Sequence, residues 1–230
     1  MHRNSCIEQQ VGLTSGRRRA RIASAIVGSI VAAALAIAAI TSTGYAAMAP
    51  DADPMSVAKT TVNEALQVLA DRSTPLGDRQ EKLKQIVAAG FDYTEMSRSA
   101  MGYHWRQLSP DQQNQFIEVF TSFIQDSYLS KINDYQGQQV DFVKSSADEP
   151  DYAQVYSNIR QDGKPPLPVN YRLKKTSSGW KIYDVTVDAI SIIANYRNQF
   201  NRVMNSKGYS TLIDDLKSKQ ASISAGLGEN

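Results

Sequence analysis

Cysteine is almost missing from this 230-residue chain: the single one is Cys6. It stands ahead of a long apolar run, so it is not a lipid-attachment cysteine following an export signal. Everything after that run can hold no disulfide, thiol nucleophile or thiolate metal ligand. Histidine is nearly as scarce, with His2 and His104 only. A zinc centre therefore has no support, and a Ser–His–Asp arrangement could use only His104. That residue sits among aromatics in GYHW and reads as a packing or surface group. A Gly-rich phosphate loop, a G-x-S-x-G elbow and an H-E-x-x-H helix are all absent, as are an ATP-binding signature, internal repeats and low-complexity tracts. Work done on a ligand must then be driven from outside the chain. The paired acids Asp214–Asp215 and those around Asp148 to Asp151 read as solvated positions.

Charge is also lacking where it first seems present. Residues 17–21 read RRRAR, residues 22–40 carry no charge, and a small, polar TSTGYAAMAP follows. That is the order of a secretory signal, with cleavage after Ala46 or Ala49. The apolar run is long enough that an uncleaved membrane anchor is the alternative, and RRRARIA hints at twin-arginine export. Residues 1–46 hold five of the 25 basic residues and one of the 23 acids, which leaves 20 against 22, a net of −2. The basic pI thus belongs to the targeting segment, and nucleic-acid binding through bulk charge loses its support. The expected organisation is a signal over 1–46, a linker over 47–55, one domain over 56–220 and a flexible tail over 221–230.

What the rest does have is apolar periodicity. Val57, Val62, Leu66 and Leu69 recur at helical spacing, with Ser56 as a candidate cap. GDRQEKLKQIVAAGFD predicts a second helix starting near Asp78 and stopping at Gly90, and YTEMSRSAMGYHW a short third. The clearest helix begins at LSPDQQ: Ser109 caps, Pro110 takes the first position and Gln112 lies three past the cap. Phe116, Phe120, Phe123, Ile124 and Tyr128 fall on one face of it, so it must lie against something extensive. The period then becomes two in QQVDFVK, YAQVYSNIRQ, LPVNYRLKK and WKIYDVTV, with DGKPP and SSG as turns. A helix over 189–206 and another after Gly208 complete the order. These elements predict an α+β domain with helices packed on one face of a curved, mainly antiparallel four-stranded sheet. The surplus of aromatics fits either a plain core or an apolar cavity between sheet and helices.

The segments FDYTEMSRSAMGYHWRQLSPDQQNQFIEVF and GWKIYDVTVDAISIIANYRNQFNRVMNSKGYSTLIDDL resemble the MlaC-type periplasmic phospholipid-binding proteins, the toluene-tolerance auxiliary family of ABC transport. The resemblance spans roughly residues 56–220. It implies a periplasmic carrier, not an enzyme, that moves phospholipid between outer and inner membranes and so maintains outer-membrane lipid asymmetry. Phospholipid is then cargo and no cofactor is implied. The implied partners are an inner-membrane ABC transporter with an MCE lipid-binding subunit and an outer-membrane lipoprotein complex, with the carrier itself a monomer. One departure stands out. The family often has Glu-Gly-Val-Ser after the last strand, where this chain has Asp188, Ala189, Ile190 and Ser191. Burying a methylene contributes roughly 0.8 kcal/mol, so two tails of about fifteen methylenes each give on the order of 20 kcal/mol. The cavity must take both tails and needs little headgroup chemistry.

On this reading Tyr183, Val185 and Val187 share one face of the last strand and line the cavity with Ile192, Tyr196 and Phe200. Phe116, Phe120, Phe123 and Tyr128 stand evenly between cavity wall and core, and Trp105 and Met101 lean towards core. Asp188 is expected to cap the following helix, with Ser191 in its first turn. Asp184, on the other strand face with Trp180 and Ile182, is expected in an ion pair with Arg197 or at the cavity rim. Two other readings stay open: an enzyme on a cone-shaped α+β fold using Asp184, Tyr183 and His104, and a membrane-anchored interaction module.

Overall fold

A computed structural model describes residues 52–130 and 134–227. The export signal read over 1–46 lies outside them, as does most of the linker. Helix α1 (Pro54–Ala70) opens inside the stretch read as linker. Its cap is Asp53, not Ser56: Asp53 accepts from the backbone N–H of Met55 at 2.9 Å and of Ser56 at 3.1 Å. A carboxylate one residue before the N1 proline satisfies two first-turn donors at once.

Helix α2 (Leu76–Gly90) packs back on α1. Gly90 is what lets the two approach: a Cβ there would stand 2.4 Å from Thr61 Cγ2. Helix α3 (Tyr93–Met101) is capped by Asp92, which accepts from Glu95 N–H at 2.8 Å, and runs into a 3₁₀ turn over Gly102–Gln107. Helix α4 (Pro110–Leu129) has the expected capping box, Ser109 and Gln112 each bonding the other's backbone.

The sheet is an antiparallel meander in the order β1 (Gln139–Glu149), β2 (Tyr152–Arg160), β3 (Leu167–Thr176), β4 (Gly179–Val187), β5 (Ile190–Ser191). It thus has five strands, one more than the sequence predicts. Two residues are too few to show alternation, and β5 exists because Asp188 (φ 46°) and Ala189 (φ 66°) form a tight hairpin that pairs Val187 with Ile190. Positive φ at both central residues is the hairpin-favouring geometry, normally left to Asn or Gly.

A bulge bends β4. Ile182 pairs with Leu173 and Asp184 with Arg172, leaving Tyr183 as the extra residue. This overturns the shared face expected for Tyr183, Val185 and Val187. Ile182, Val185 and Val187 pack with Val155 and Leu173 beneath Val57 and Ala58 of α1. Tyr183 instead joins the cluster of Ile193 and Phe200, with the Arg172 guanidinium 5.3 Å from its ring. An inserted residue breaks the period of two, so everything on its N-terminal side changes face.

The last helix, α5 (Ile192–Leu227), is broken at Gly208 (φ 82°, ψ −179°). Its first half lies on α3 and α4. Its second half returns Leu212, Ile213 and Leu216 to the same core, and it continues into the residues read as tail.

Candidate functional site

Between α2, α3, α4 and the β4–α5 corner lies an apolar cavity of about 70 Å³. Ala65, Leu83, Met96, Ile124, Leu129 and Val185 form buried wall. Ile193 joins them from the start of α5, while Val87, Phe91 and Ile192 line the cavity half-buried. Four lining groups are polar: Lys84, Tyr93, Gln125 and Tyr128. Gln125 donates to the Tyr93 hydroxyl at 3.2 Å. Burial pushes the Tyr93 phenol up to about 12 against that hydrogen bond. Burial also pushes Tyr128 well above the ordinary phenol range, with Tyr196 and Asp184 adding to it. Both rings are therefore neutral O–H groups at physiological pH.

Of the residues expected in the wall, Tyr128, Val185 and Ile192 line this cavity. Val187 sits in the core beneath α1. Phe116, Phe120 and Phe123 of α4 pack on Tyr196 and Phe200 of α5, with Phe120 5.3 Å from Phe200 and 5.4 Å from Tyr196, both edge to face. Those pairs contribute about 0.5–1.5 kcal/mol each beyond simple burial. They account for the aromatic surplus on α4 as the seam between two helices. Met101 is core and Trp105 packs at its margin.

Sequence reasoning missed the wall that α1 and α2 supply, Ala65, Leu83, Lys84 and Val87, because helical apolar spacing does not tell which neighbour a face meets. It also missed Glu95. That residue is 5% exposed and held by Arg98 at 2.6 Å and Lys174 at 2.8 Å. Burial would raise its carboxyl, but the hydrogen bonds from Arg98 and Lys174 hold it below the ordinary value. The Arg98 half is legible as an i,i+3 pair; Lys174 comes from β3 and is not.

The corner read as acidic and hydroxyl-bearing is a helix cap. Asp184, 2% exposed, accepts from Ser191 Oγ at 2.6 Å and from Ile193 N–H at 3.1 Å. Ser191 Oγ in turn accepts from Ala194 N–H at 2.9 Å. Asp184 and Ser191 thus satisfy two first-turn donors of α5, Ile193 and Ala194, between them. Asp188 does not cap: its residue is committed to the hairpin, and its N–H donates to Pro168 O. The cation facing Asp184 is Arg172, at 3.9 Å, and not Arg197, whose Nε donates to Ser99 O across to α3. Burial raises the Asp184 carboxyl above the ordinary range, the bonds from Ser191 and Ile193 and the charge of Arg172 opposing it only in part. His104 lies apart from this group, with Nε2 2.9 Å from Asn201 Oδ1 and Nδ1 3.2 Å from Gln107 Oε1. His104, Tyr183 and Asp184 share no hydrogen bond among the described residues. No described helix is long and apolar enough to cross a membrane.

Comparison with known proteins agrees on one group. The toluene tolerance protein ttg2D of Pseudomonas putida is 26% identical over 129 residues, 56% of this chain and 60% of that protein. The intermembrane phospholipid transport system binding protein MlaC of Haemophilus influenzae is 24% identical over 122 residues, 51% of this chain and 56% of that protein. This chain thus spans less than two thirds of either. A phospholipid-binding protein of Ralstonia solanacearum, solved in complex with a phospholipid, superposes with a TM-score of 0.65 at 26% identity, covering 75% of this chain and 99% of that one. The family model described as MlaC protein matches residues 59–218, a span from α1 into the second half of α5 that takes in every wall of the cavity, and so the chain belongs to the MlaC family.

Proposed function

We propose that this protein is an exported phospholipid carrier that buries acyl chains in the cavity between α2, α4 and the β4–α5 corner. The observation that carries this is the cavity itself: apolar on nearly every side, bounded by elements that superpose on a protein holding a phospholipid. A carrier needs to hide tails and let them go, which asks for apolar wall and no reacting group. The proposal extends to the route: lipid passes between the outer-membrane lipoprotein complex and the MCE-bearing ABC transporter of the inner membrane, and its removal from the outer leaflet maintains asymmetry. The transporter supplies the energy, and the carrier follows.

Size adds a condition. The cavity of about 70 Å³ is well under the roughly 300–1,000 Å³ of typical ligand pockets. Two tails enter only if its walls separate. The test is lipid extraction and mass spectrometry on protein purified from periplasm without detergent. Near-stoichiometric phospholipid is the expected result. A folded protein that carries none, and takes none from vesicles, would refute the carrier reading.

A further inference from the structure

The cavity lining carries a single charge. Among the described residues Lys84 is its only ionic residue, and no carboxylate lines it. Lys84 is half-buried on α2, one residue past the buried Leu83 and three before Val87, so its four-methylene stem lies along the wall. It forms no ion pair among the described residues. A lysine with its stem on apolar wall puts its ammonium out at the water boundary, which here is the cavity opening. Tyr93 also lines the cavity. Its oxygen accepts from Gln125, which leaves its own proton free to donate. The lining thus offers two donors, the Lys84 ammonium and the Tyr93 hydroxyl. A diacyl lipid whose tails enter the cavity leaves its phosphate at the opening, because a phosphate cannot follow the tails into an apolar interior.

We propose that Lys84 is the headgroup contact: its ammonium binds the lipid phosphodiester, so the carrier favours phosphate-bearing lipids with net negative headgroups over uncharged diacylglycerol of the same tails. This rests on the carrier reading above and assigns the polar end of the same site. Zwitterionic phosphatidylethanolamine, which brings its own ammonium, falls between the two.

The test equilibrates delipidated exported protein with vesicles containing equal amounts of dioleoyl phosphatidylglycerol, dioleoyl phosphatidylethanolamine and dioleoylglycerol, and weighs the bound lipids by mass spectrometry. The wild type is expected to enrich phosphatidylglycerol over dioleoylglycerol. Lys84→Gln is expected to lower that ratio about fivefold, the scale of a half-exposed ion pair. Lys84→Arg keeps the preference, and ~1 M salt, where the screening length is about 3 Å, narrows it. A folded Lys84→Gln protein with the wild-type ratio, or one that loses all three lipids equally, overturns the proposal and makes Lys84 plain wall. Inorganic phosphate that raises the Tm of lipid-free wild type but not of Lys84→Gln would identify a free-anion site and equally overturn it. If neither protein takes any diacyl lipid, the carrier reading itself has failed.

Discussion

Replacing Gly90 by alanine should drive a wedge between α1 and α2. The new Cβ would stand 2.4 Å from Thr61 Cγ2, 2.5 Å from its Oγ1 and 3.1 Å from its Cβ. Thr61 is buried, so its side chain cannot swing into solvent. Overpacking of this kind costs about 1–3 kcal/mol, and alanine returns up to about 1 kcal/mol through better helix propensity. The net loss should be about 1–2 kcal/mol. Thr61→Ala removes both closest atoms and leaves only the 3.1 Å contact, which a shift of a few tenths of an ångström relieves. The double variant should therefore be more stable than the sum of the two single losses by about 1 kcal/mol or more, a coupling well above the scatter for independent sites. Urea unfolding of the four proteins measures this directly. Additive losses in the double variant, or a Gly90→Ala protein as stable as wild type, would refute the steric account.

Four further outcomes follow from the same geometry. Ala189→Gly relieves a left-handed residue (φ 66°) and should add about 1 kcal/mol, read as a higher urea midpoint at unchanged slope; a loss would show that the hairpin is held by something else. Asp184→Ala leaves the Ile193 N–H of α5 and the Ser191 hydroxyl without their acceptor and should cost about 1–2 kcal/mol, whereas Asp184→Asn retains an acceptor and costs less. Because burial raises Asp184 above its usual 3.8, the folded state binds its proton more tightly than the unfolded chain does. Its contribution is therefore fully present below about 3.8 and is lost as pH rises through the elevated folded value, so the stability of wild type relative to Asp184→Asn should decline over that interval. Glu95 has the opposite sign: held low by Arg98 and Lys174, it stabilises above its usual 4.5 and loses that as pH falls, and Glu95→Gln should cost about 2 kcal/mol at neutrality and remove the pH dependence. Ala65→Leu fills much of the cavity and should stabilise the lipid-free protein by about 1 kcal/mol while lowering the lipid that co-purifies; unchanged lipid would move the tails elsewhere.

Much of the fold is legible from local chemistry. Ser109, Pro110 and Gln112 announce the start of α4, and Gly208 marks the break in α5, because caps and glycine stops act within one turn. Alternation locates four strands. What escaped depends on partners far along the chain. The extra residue at Tyr183 is defined only by how Ile182 and Asp184 pair with β3, so the face assigned to Tyr183 was wrong while Val185 and Val187 were assigned together. Asp188 looked like the cap because it precedes an apolar helix pattern; its positive φ, shared with Ala189, commits it to a hairpin and hands the capping to Ser191 and Asp184. At the cavity, Val185 and Ile192 could be guessed from their nearness to the strand-to-helix corner, and Tyr128 from the apolar face of α4. Leu83, Val87 and Lys84 could not, since the pattern of α2 does not tell which neighbour its sides meet.

The capping of α5 by Asp184 has a mechanical consequence. Three hydrogen bonds, from Ser191 to Asp184, Ile193 to Asp184 and Ala194 to Ser191, tie a strand to a helix start at the point where Val185, Ile192 and Ile193 face the cavity. That side behaves as a fixed jaw. Opposite it, α2 packs chiefly on α1 and little on α4. Opening for cargo should then be a shift of α2 away from a stationary corner, since α1 is itself buried on β4 through Val57 and Ala58. Amide hydrogen exchange would register it as faster exchange in α2 than at Ile193 and Ala194.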